Sequence, residues 1–336
     1  MRNNEITFYL NPIAHSILKK DLKLFHLKNN ESVLIKRIIV NYYPKYNQEK
    51  NKLENKIIES IDSQDTSCDS EIISWKILKF IGENSINKTT SVLMKGTKDK
   101  IHLRINKNDD DLDIIVDSCP ASASISEFLA NIIYSYLDEP LYERERIVFK
   151  DVYESLKLAI TKNQQVKLKS KSNTRETPEI KNVEPKEICI SREELFNYLL
   201  YKRIKDNKEC ATSIHLYNIV SVVLQPQICS FDAEINSYFD RMKNNGVQFG
   251  ITDNTIYKVK LTKHGRELYE NNLKYIEKPF ALDNSIPEKG IYYFDCSRMQ
   301  FENYFGSFFE DVEILKPKEY RNEYYNKIKT VLNKYK

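Results

Sequence analysis

The chain has 336 residues, with 52 Lys and Arg against 48 Asp and Glu, 41% hydrophobic residues and 22 Tyr, which is enough apolar material for two or three packed domains and excludes wholesale disorder. Only 7 glycines leave little for the turns that nucleotide-binding folds press against phosphate, and neither GxGxxG nor a GxxxxGK followed by Ser or Thr occurs. The net charge of +4 does not by itself point to a polyanion, so local clustering has to carry that argument.

Glu5 to Leu10 alternates, Ile6, Phe8 and Leu10 against Thr7 and Tyr9, as a half-buried strand does. A helix with Ile13, Ile17, Leu22 and Leu24 as its stripe is expected next. A second, capped by Ser32, carries Leu34, Ile35, Ile38, Ile39 and Tyr42 at helical spacing and is expected to stop at Pro44. The same grammar returns in the alternating strand Lys100 to Ile105, a polar helix from Asn108 and a helix over Ser124 to Tyr136. Setting Ser126 on Ser32 (126 − 32 = 94) brings Phe128, Leu129, Ile132, Ile133 and Tyr136 onto the five apolar positions of the first copy. Between the copies, a charged helix over 47–61, a polar loop over 63–70 and a helix over 71–81 with Trp75, Leu78 and Ile81 inward are predicted. The repeated strand-helix-helix order resembles the ribbon-helix-helix fold, in which two units pair their strands into a ribbon that enters a major groove. Two units in one chain predict an intramolecular pseudo-dimer with Thr7, Tyr9, Lys100, His102 and Arg104 outward. An acidic run, Asp109 to Asp113, opposes contact with a phosphate backbone and makes a scaffold role the alternative.

After a predicted linker helix over 141–162, the period changes to two at Gln165 to Ser170, where Val166 and Leu168 alternate with Lys167 and Lys169. Lys162, Lys167, Lys169, Lys171 and Arg175 are the five basic residues of 161–175, which contains no acidic one. Strands over 186–190, 195–202 and 213–224 follow, and short strands with tight turns predict a small SH3-like barrel. Alternate lysines beside aromatics such as Phe196 and Tyr201 combine backbone charge with stacking platforms, a pattern suited to single-stranded nucleic acid. Lys181 to Ile188 followed by Phe196-Asn-Tyr-Leu-Leu200 resembles the core of the WYL domain, with Asn197-Tyr198-Leu199 at the Trp-Tyr-Leu position. Ile214-His-Leu-Tyr-Asn-Ile219 stands where that family has Phe-Arg-Leu-Asp-Arg-Ile. The resemblance implies a ligand or nucleic-acid pocket with Tyr198 retained, His215 and Asn218 in place of two arginines, and Lys181 near a further basic position; Lys202 and Arg203 on the same strand as Tyr198 are further candidate nucleic-acid contacts.

Over 226–336 the predicted order is a helix near 233–244, then β-α-β-α-β from Thr255 to Leu315 and a terminal helix from Pro317. Tyr304 to Phe309 and Val312 to Arg321 resemble the C-terminal extension of WYL proteins, which implies homodimerisation. The expected domains are thus 1–140, the linker helix 141–162, a WYL domain over 163–225 and a dimerisation domain over 226–336, in the α+β class.

His15, His26, His102, His215 and His264 form no HxxxH or HExxH pattern, the acidic run lacks the glycine and final glutamate of an EF-hand loop, and no GxSxG occurs. Cys68, Cys119, Cys189, Cys210, Cys229 and Cys296 form no CxxC or CxxH pair and read as reduced thiols. No apolar run approaches the roughly 18 residues of a membrane span, and the first residues lack a signal-peptide core. A cytoplasmic binding protein without metal, cofactor or catalytic site is expected. The whole arrangement, with Glu143 to Phe149 and Val259 to Gly265, is similar to the WYL accessory proteins of type VI-D CRISPR-Cas loci. That resemblance implies binding of single-stranded RNA and enhancement of an RNA-guided RNase effector. The competing expectation is a WYL transcriptional regulator that reads duplex DNA through the ribbon; a protein-only adaptor is a third.

Overall fold

The computed structural model describes residues 5–27, 30–62, 73–74, 77, 98–104, 110–121, 123–171, 179–192, 194–205, 208–250, 254–271 and 278–335. Helices and several separate sheets give the mixed α and β class. The chain divides into two compact units, Met1–Lys150 and Asp151–Lys336.

In the first unit, β1 (Glu5–Leu10) and β2 (Asp99–Arg104) form a two-stranded antiparallel ribbon, with Glu5 opposite Arg104, Thr7 opposite His102 and Tyr9 opposite Lys100. Phe8, Leu10, Ile101 and Leu103 are buried beneath it, while Tyr9, Lys100, His102 and Arg104 are exposed. A period of two on each strand fixes which side chains are outward. Helix α1 (Pro12–Leu24) starts where the Asn11 side chain accepts a hydrogen bond from the Ile13 N–H at 2.8 Å. Pro12 suits the first turn because its missing N–H would have no helical partner there. The buried stripe of α1 is Ala14, Leu18 and Leu22, continued by Phe25, whereas Ile13 is exposed. The expected stripe through Ile13, Ile17 and Leu24 lies one step off it: this short helix carries two apolar sets, and tertiary packing selects between them.

Helix α2 (Glu31–Asp62) is capped by Asn30, whose side chain accepts from the Val33 N–H at 3.1 Å, and not by Ser32. It also runs through Pro44, so the two helices expected on either side of that proline are one. A proline inside a helix removes one N–H bond, and here contacts on the preceding turn and the next residue hold the chain: Tyr42 donates to Glu139 at 3.0 Å, and Lys45 pairs with the same carboxylate. The unit continues with α3 (Asp110–Asp117), α4 (Ile125–Asp138) and α5 (Leu141–Val148). Ser124 and Glu127 close a reciprocal capping box at the start of α4. All ten positions matched by the internal repeat are buried, and Tyr42 meets Tyr136 edge-on with ring centroids 6.3 Å apart. Burying an aliphatic side chain of this size contributes roughly 1.5–3 kcal/mol, so the α2–α4 seam is a major part of this core. Trp75, Leu78, Ile81, Asn108 and Asp109 lie outside the described residues.

In place of the single linker helix expected over 141–162, α5 ends at Phe149 and a new helix, α6 (Lys150–Thr161), begins. Five strands follow: β3 (Gln164–Ser170), β4 (Glu179–Ile190), β5 (Asn197–Lys205), β6 (Lys208–His215) and β7 (Ile219–Ile228), in the sheet order β6-β5-β4-β3-β7. The first half of β4 pairs with β3 and its second half with β5, with a register shift between Pro185 and Glu187. Pro185 has no N–H to give a ladder, and such a bulge bends the strand. The single strand expected over 213–224 is two strands separated by a 3₁₀ turn at Leu216–Asn218. No ladder joins the edge strands β6 and β7, so the expected closed barrel is an open, bent sheet among the described residues.

Helix α7 (Ala233–Asn245) covers one side of this sheet, packing Ile235, Tyr238, Phe239 and Met242 on Tyr198, Leu200 and Ala211. The chain then runs β8 (Tyr257–Leu261), α8 (Lys263–Asn271), β9 (Ile291–Phe294), α9 (Arg298–Phe305), β10 (Val312–Lys316) and α10 (Lys318–Leu332). This is the expected alternation, folded as an antiparallel sheet with β8 central. Its core is aromatic, with Tyr257, Phe294, Phe301, Tyr304, Phe305 and Tyr320 among its buried members. Gly265 allows the start of α8 to touch the 309–311 turn, since a Cβ there would lie 2.5 Å from the Asp311 carbonyl oxygen.

Candidate nucleic-acid interface

Lys167 and Lys169 point outward from β3 between the buried Val166, Leu168 and Ser170. Because β3 lies inside the sheet, both have neighbours on each side: Asn182 and Val223 flank Lys167, and Ser221 flanks Lys169 on β7. Asn182, Ser221 and Val223 are themselves exposed and uncharged. The two ammonium groups therefore stand on an open sheet face with no carboxylate at these flanking positions. Lys171 continues the series at the strand end, where its Nζ donates to the Tyr217 carbonyl at 3.0 Å and its N–H to the Asn218 carbonyl at 2.8 Å. Successive alternate residues of a strand lie about 7 Å apart, so Lys167, Lys169 and Lys171 make a short basic line that ends on the 3₁₀ turn.

Tyr217 on that turn opens an aromatic cluster. Its ring stacks on His215 with centroids 4.5 Å apart, and His215 in turn lies 4.0 Å from Tyr198 and meets Phe196 edge-on. The Tyr198 hydroxyl donates to Glu194 at 2.5 Å and lies 2.6 Å from His215 Nε2. The hydroxyl thus bridges the Glu194 carboxylate and the His215 imidazole. Tyr198 and His215 face each other in the β5–β6 ladder, so strand register brings them together. The sequence pattern points to Tyr198 and His215 but not to Tyr217 or Glu194; Tyr217 is hidden because Leu216–Asn218 reads as strand.

Other expected site residues are placed differently. Lys202 is 5% exposed, and its Nζ contacts Glu209 at 2.9 Å, Glu184 at 3.2 Å and the Ser230 carbonyl at 2.6 Å. Its charge is engaged inside the fold, which removes it from the candidate set. Tyr201 is buried and offers no stacking face. Tyr198 is 4% exposed and already stacked, so it too presents no free ring to a base. Lys181 pairs with the inward-facing Leu168, opposite in face to Lys167, and is half-buried. Arg203 is half-buried on β5 opposite Cys210, with its Nε buried and unbonded. Arg175 lies outside the described residues. On the ribbon, the Glu5 carboxylate lies 2.9 Å from His102 and faces Arg104 in register, so part of the outward positive charge is offset. Lys100 and Arg104 are exposed.

Among the described residues, no three His, Cys, Asp or Glu side chains gather as a metal-ligand set, and no helix is long and apolar enough to cross a membrane. Cys119, Cys189, Cys210, Cys229 and Cys296 are free thiols. Burial pushes the thiols of Cys189 and Cys229 up to about 11, so neither is poised as a nucleophile.

No protein-family model and no curated protein sequence matches the chain. The fold matches that of a solved protein described as CRISPR Cas-related, with a TM-score of 0.64 and 20% sequence identity over 98% of this chain and 94% of that one. Proteasome accessory factor B/C of Arthrobacter aurescens aligns over 66% of this chain and 35% of its own, with a TM-score of 0.27 and 15% identity, too weak a likeness to carry an argument. At 20% identity, the first match shows that the two chains share a fold.

Proposed function

We propose that this chain is an accessory protein of a CRISPR-Cas system, not an enzyme, that binds single-stranded RNA and raises the activity of an RNA-guided RNase effector. The observation that carries the RNA reading is the outward pair Lys167 and Lys169, flanked by uncharged residues in the middle of an open sheet and continued by Lys171 to an aromatic cluster. Phosphates supply most of the affinity in such complexes, and a strand of alternate lysines tracks a single-stranded backbone. The CRISPR setting is supported by the shared fold and by the resemblance to WYL accessory proteins.

A homodimer belongs to the same proposal. Helix α10 leaves Tyr325, Ile328, Leu332 and the following Tyr335 between 52% and 86% exposed at spacings of three, four and three, an apolar seam of the kind that pairs two helices. Its occupant is the same helix of a second copy, the protein acting in the cytoplasm.

The test is binding of Lys167→Ala with Lys169→Ala to a labelled unstructured RNA. The expected result is weaker binding and a log affinity against log salt slope flatter by about 0.7 for each phosphate that is no longer neutralised. Unchanged affinity in the folded double variant would sink the reading.

A second reading, a regulator that binds duplex DNA through the ribbon, is favoured by the antiparallel pairing of β1 and β2 within one chain. It predicts that Lys100→Ala with Arg104→Ala abolishes duplex binding, while the Lys167 and Lys169 variant leaves it intact.

A further inference from the structure

The three-stranded sheet of the C-terminal region has two unlike faces. Tyr257, Val259, Leu261, Tyr292, Phe294 and Ile314 point to one side, where α8, α9 and α10 contribute Tyr269, Phe301 and Tyr320 to a single buried core. Lys258, Lys260, Ile291, Tyr293 and Glu313 alternate with these and point the other way, and a register shift between Ile314 and Lys316 sets Lys316 opposite Lys258. Register sets them in two rows: Glu313, Lys260 and Ile291 in one, and Lys316, Lys258 and Tyr293 in the other. Lys260, Lys316 and Glu313 are exposed, and Lys258, Tyr293 and Ile291 are half-buried.

The charge on this face is unbalanced. Lys258 and Lys316 are register partners on neighbouring strands, whose backbones run about 4.8 Å apart, and like charges placed opposite one another destabilise a sheet. The remaining acidic position, Glu313, faces Lys260 and is also approached by Arg321 at 3.5 Å. A ring lies in the same row as the uncompensated pair: the Lys258 Nζ sits 5.1 Å from the Tyr293 centroid. Ammonium groups beside a half-buried aromatic on one sheet face supply the two things a flexible strand of nucleotides needs, charge for phosphate and a π-face for a base. An acidic peptide would use the first and leave the second idle.

We infer that this outer sheet face, Lys258, Lys260, Lys316 and Tyr293, is a second contact surface for single-stranded RNA, separate from the Lys167 and Lys169 line. The base takes the face of Tyr293 now held by Lys258, and the displaced ammonium turns to a phosphate. The inference rests on the single-strand reading above and adds a site which that reading does not use.

The experiment measures anisotropy of a labelled oligouridylate, long enough to reach both faces, on the full-length chain across a salt series. Three proteins are compared with the wild type: Lys258→Gln with Lys260→Gln and Lys316→Gln, Tyr293→Leu alone, and Lys167→Ala with Lys169→Ala. The triple variant is expected to bind at least tenfold more weakly at low salt, with a salt slope flatter by about 2. Tyr293→Leu is expected to lose about tenfold in affinity with its slope unchanged. If the Lys167 and Lys169 variant weakens binding while the triple variant matches wild type, this inference is overturned and the function stands. A triple variant that weakens while Tyr293→Leu has no effect overturns the stacking contact and leaves a face that holds the RNA through its phosphates alone. Absence of binding by the wild type overturns both. Should circular dichroism show the triple variant unfolded, Lys260→Gln alone decides, with a slope change of about 0.7 expected and none overturning the claim.

Discussion

Asp21 is wholly buried, and its Oδ2 accepts from Tyr136 and from Arg144, each at 3.0 Å. Burial pushes its carboxyl above the ordinary value for Asp, with Arg144 and then the Tyr136 hydroxyl pulling it back. A carboxyl raised in the folded state makes its charged form a penalty that is fully present above the folded pKa and relieved as pH falls through it. Arg144→Met removes the compensating charge and is expected to cost about 3–5 kcal/mol at neutral pH. The loss should be smaller at a lower pH, where Asp21 takes up its proton. Urea unfolding at both pH values checks this, and an equal loss at both would contradict it. The same comparison of buried and open charge explains which single residues are legible in the sequence. Lys167 and Lys169 are, because apolar neighbours on either side fix their direction. Lys202 is not, because Tyr198 to Lys202 is buried on both faces and alternation then names no outward side. The carboxylates that hold it come from other strands.

At the scale of elements, the internal repeat makes a quantitative claim. Ile38 on α2 and Ile132 on α4 are matched positions, both fully buried. Ile38→Ala and Ile132→Ala are each expected to cost roughly 2–5 kcal/mol, within about 1 kcal/mol of one another. Denaturant midpoints test it; a full cost at one site and none at the other would mean that the two copies are not packed equivalently. The ribbon, the α2–α4 seam and the alternation of the C-terminal region are readable, since each rests on a period of 2 or 3.6 held over several residues. Errors fall where one position decides. Pro44 reads as a stop, yet tertiary contacts on both sides carry α2 past it. Leu216 to Asn218 is apolar and aromatic enough to pass for strand, and only the turn it makes stacks Tyr217 on His215.

For the molecule as a whole, the proposal is a dimer joined through α10, whose buried residue is Tyr320 and whose exposed seam of Tyr325, Ile328 and Leu332 adds nothing to the core. Ile328→Glu with Leu332→Glu is expected to yield monomers by light scattering with an unchanged circular dichroism spectrum. Persistence of the dimer would move the interface elsewhere. Closure of the five-stranded sheet is the architectural feature that the sequence pattern misstates, for a reason of scale. Strand number and turn spacing are local, whereas closure depends on β6 meeting β7, an edge pairing that no local pattern encodes.

The most direct measurement is a salt titration of wild type and the Lys167→Ala, Lys169→Ala variant against matched single-stranded RNA, single-stranded DNA and duplex DNA. Wild type is expected to prefer the RNA strand, with a steep salt dependence that is partly abolished in the variant. A preference for duplex DNA that survives in the variant would contradict this expectation and make the β1–β2 ribbon the binding surface.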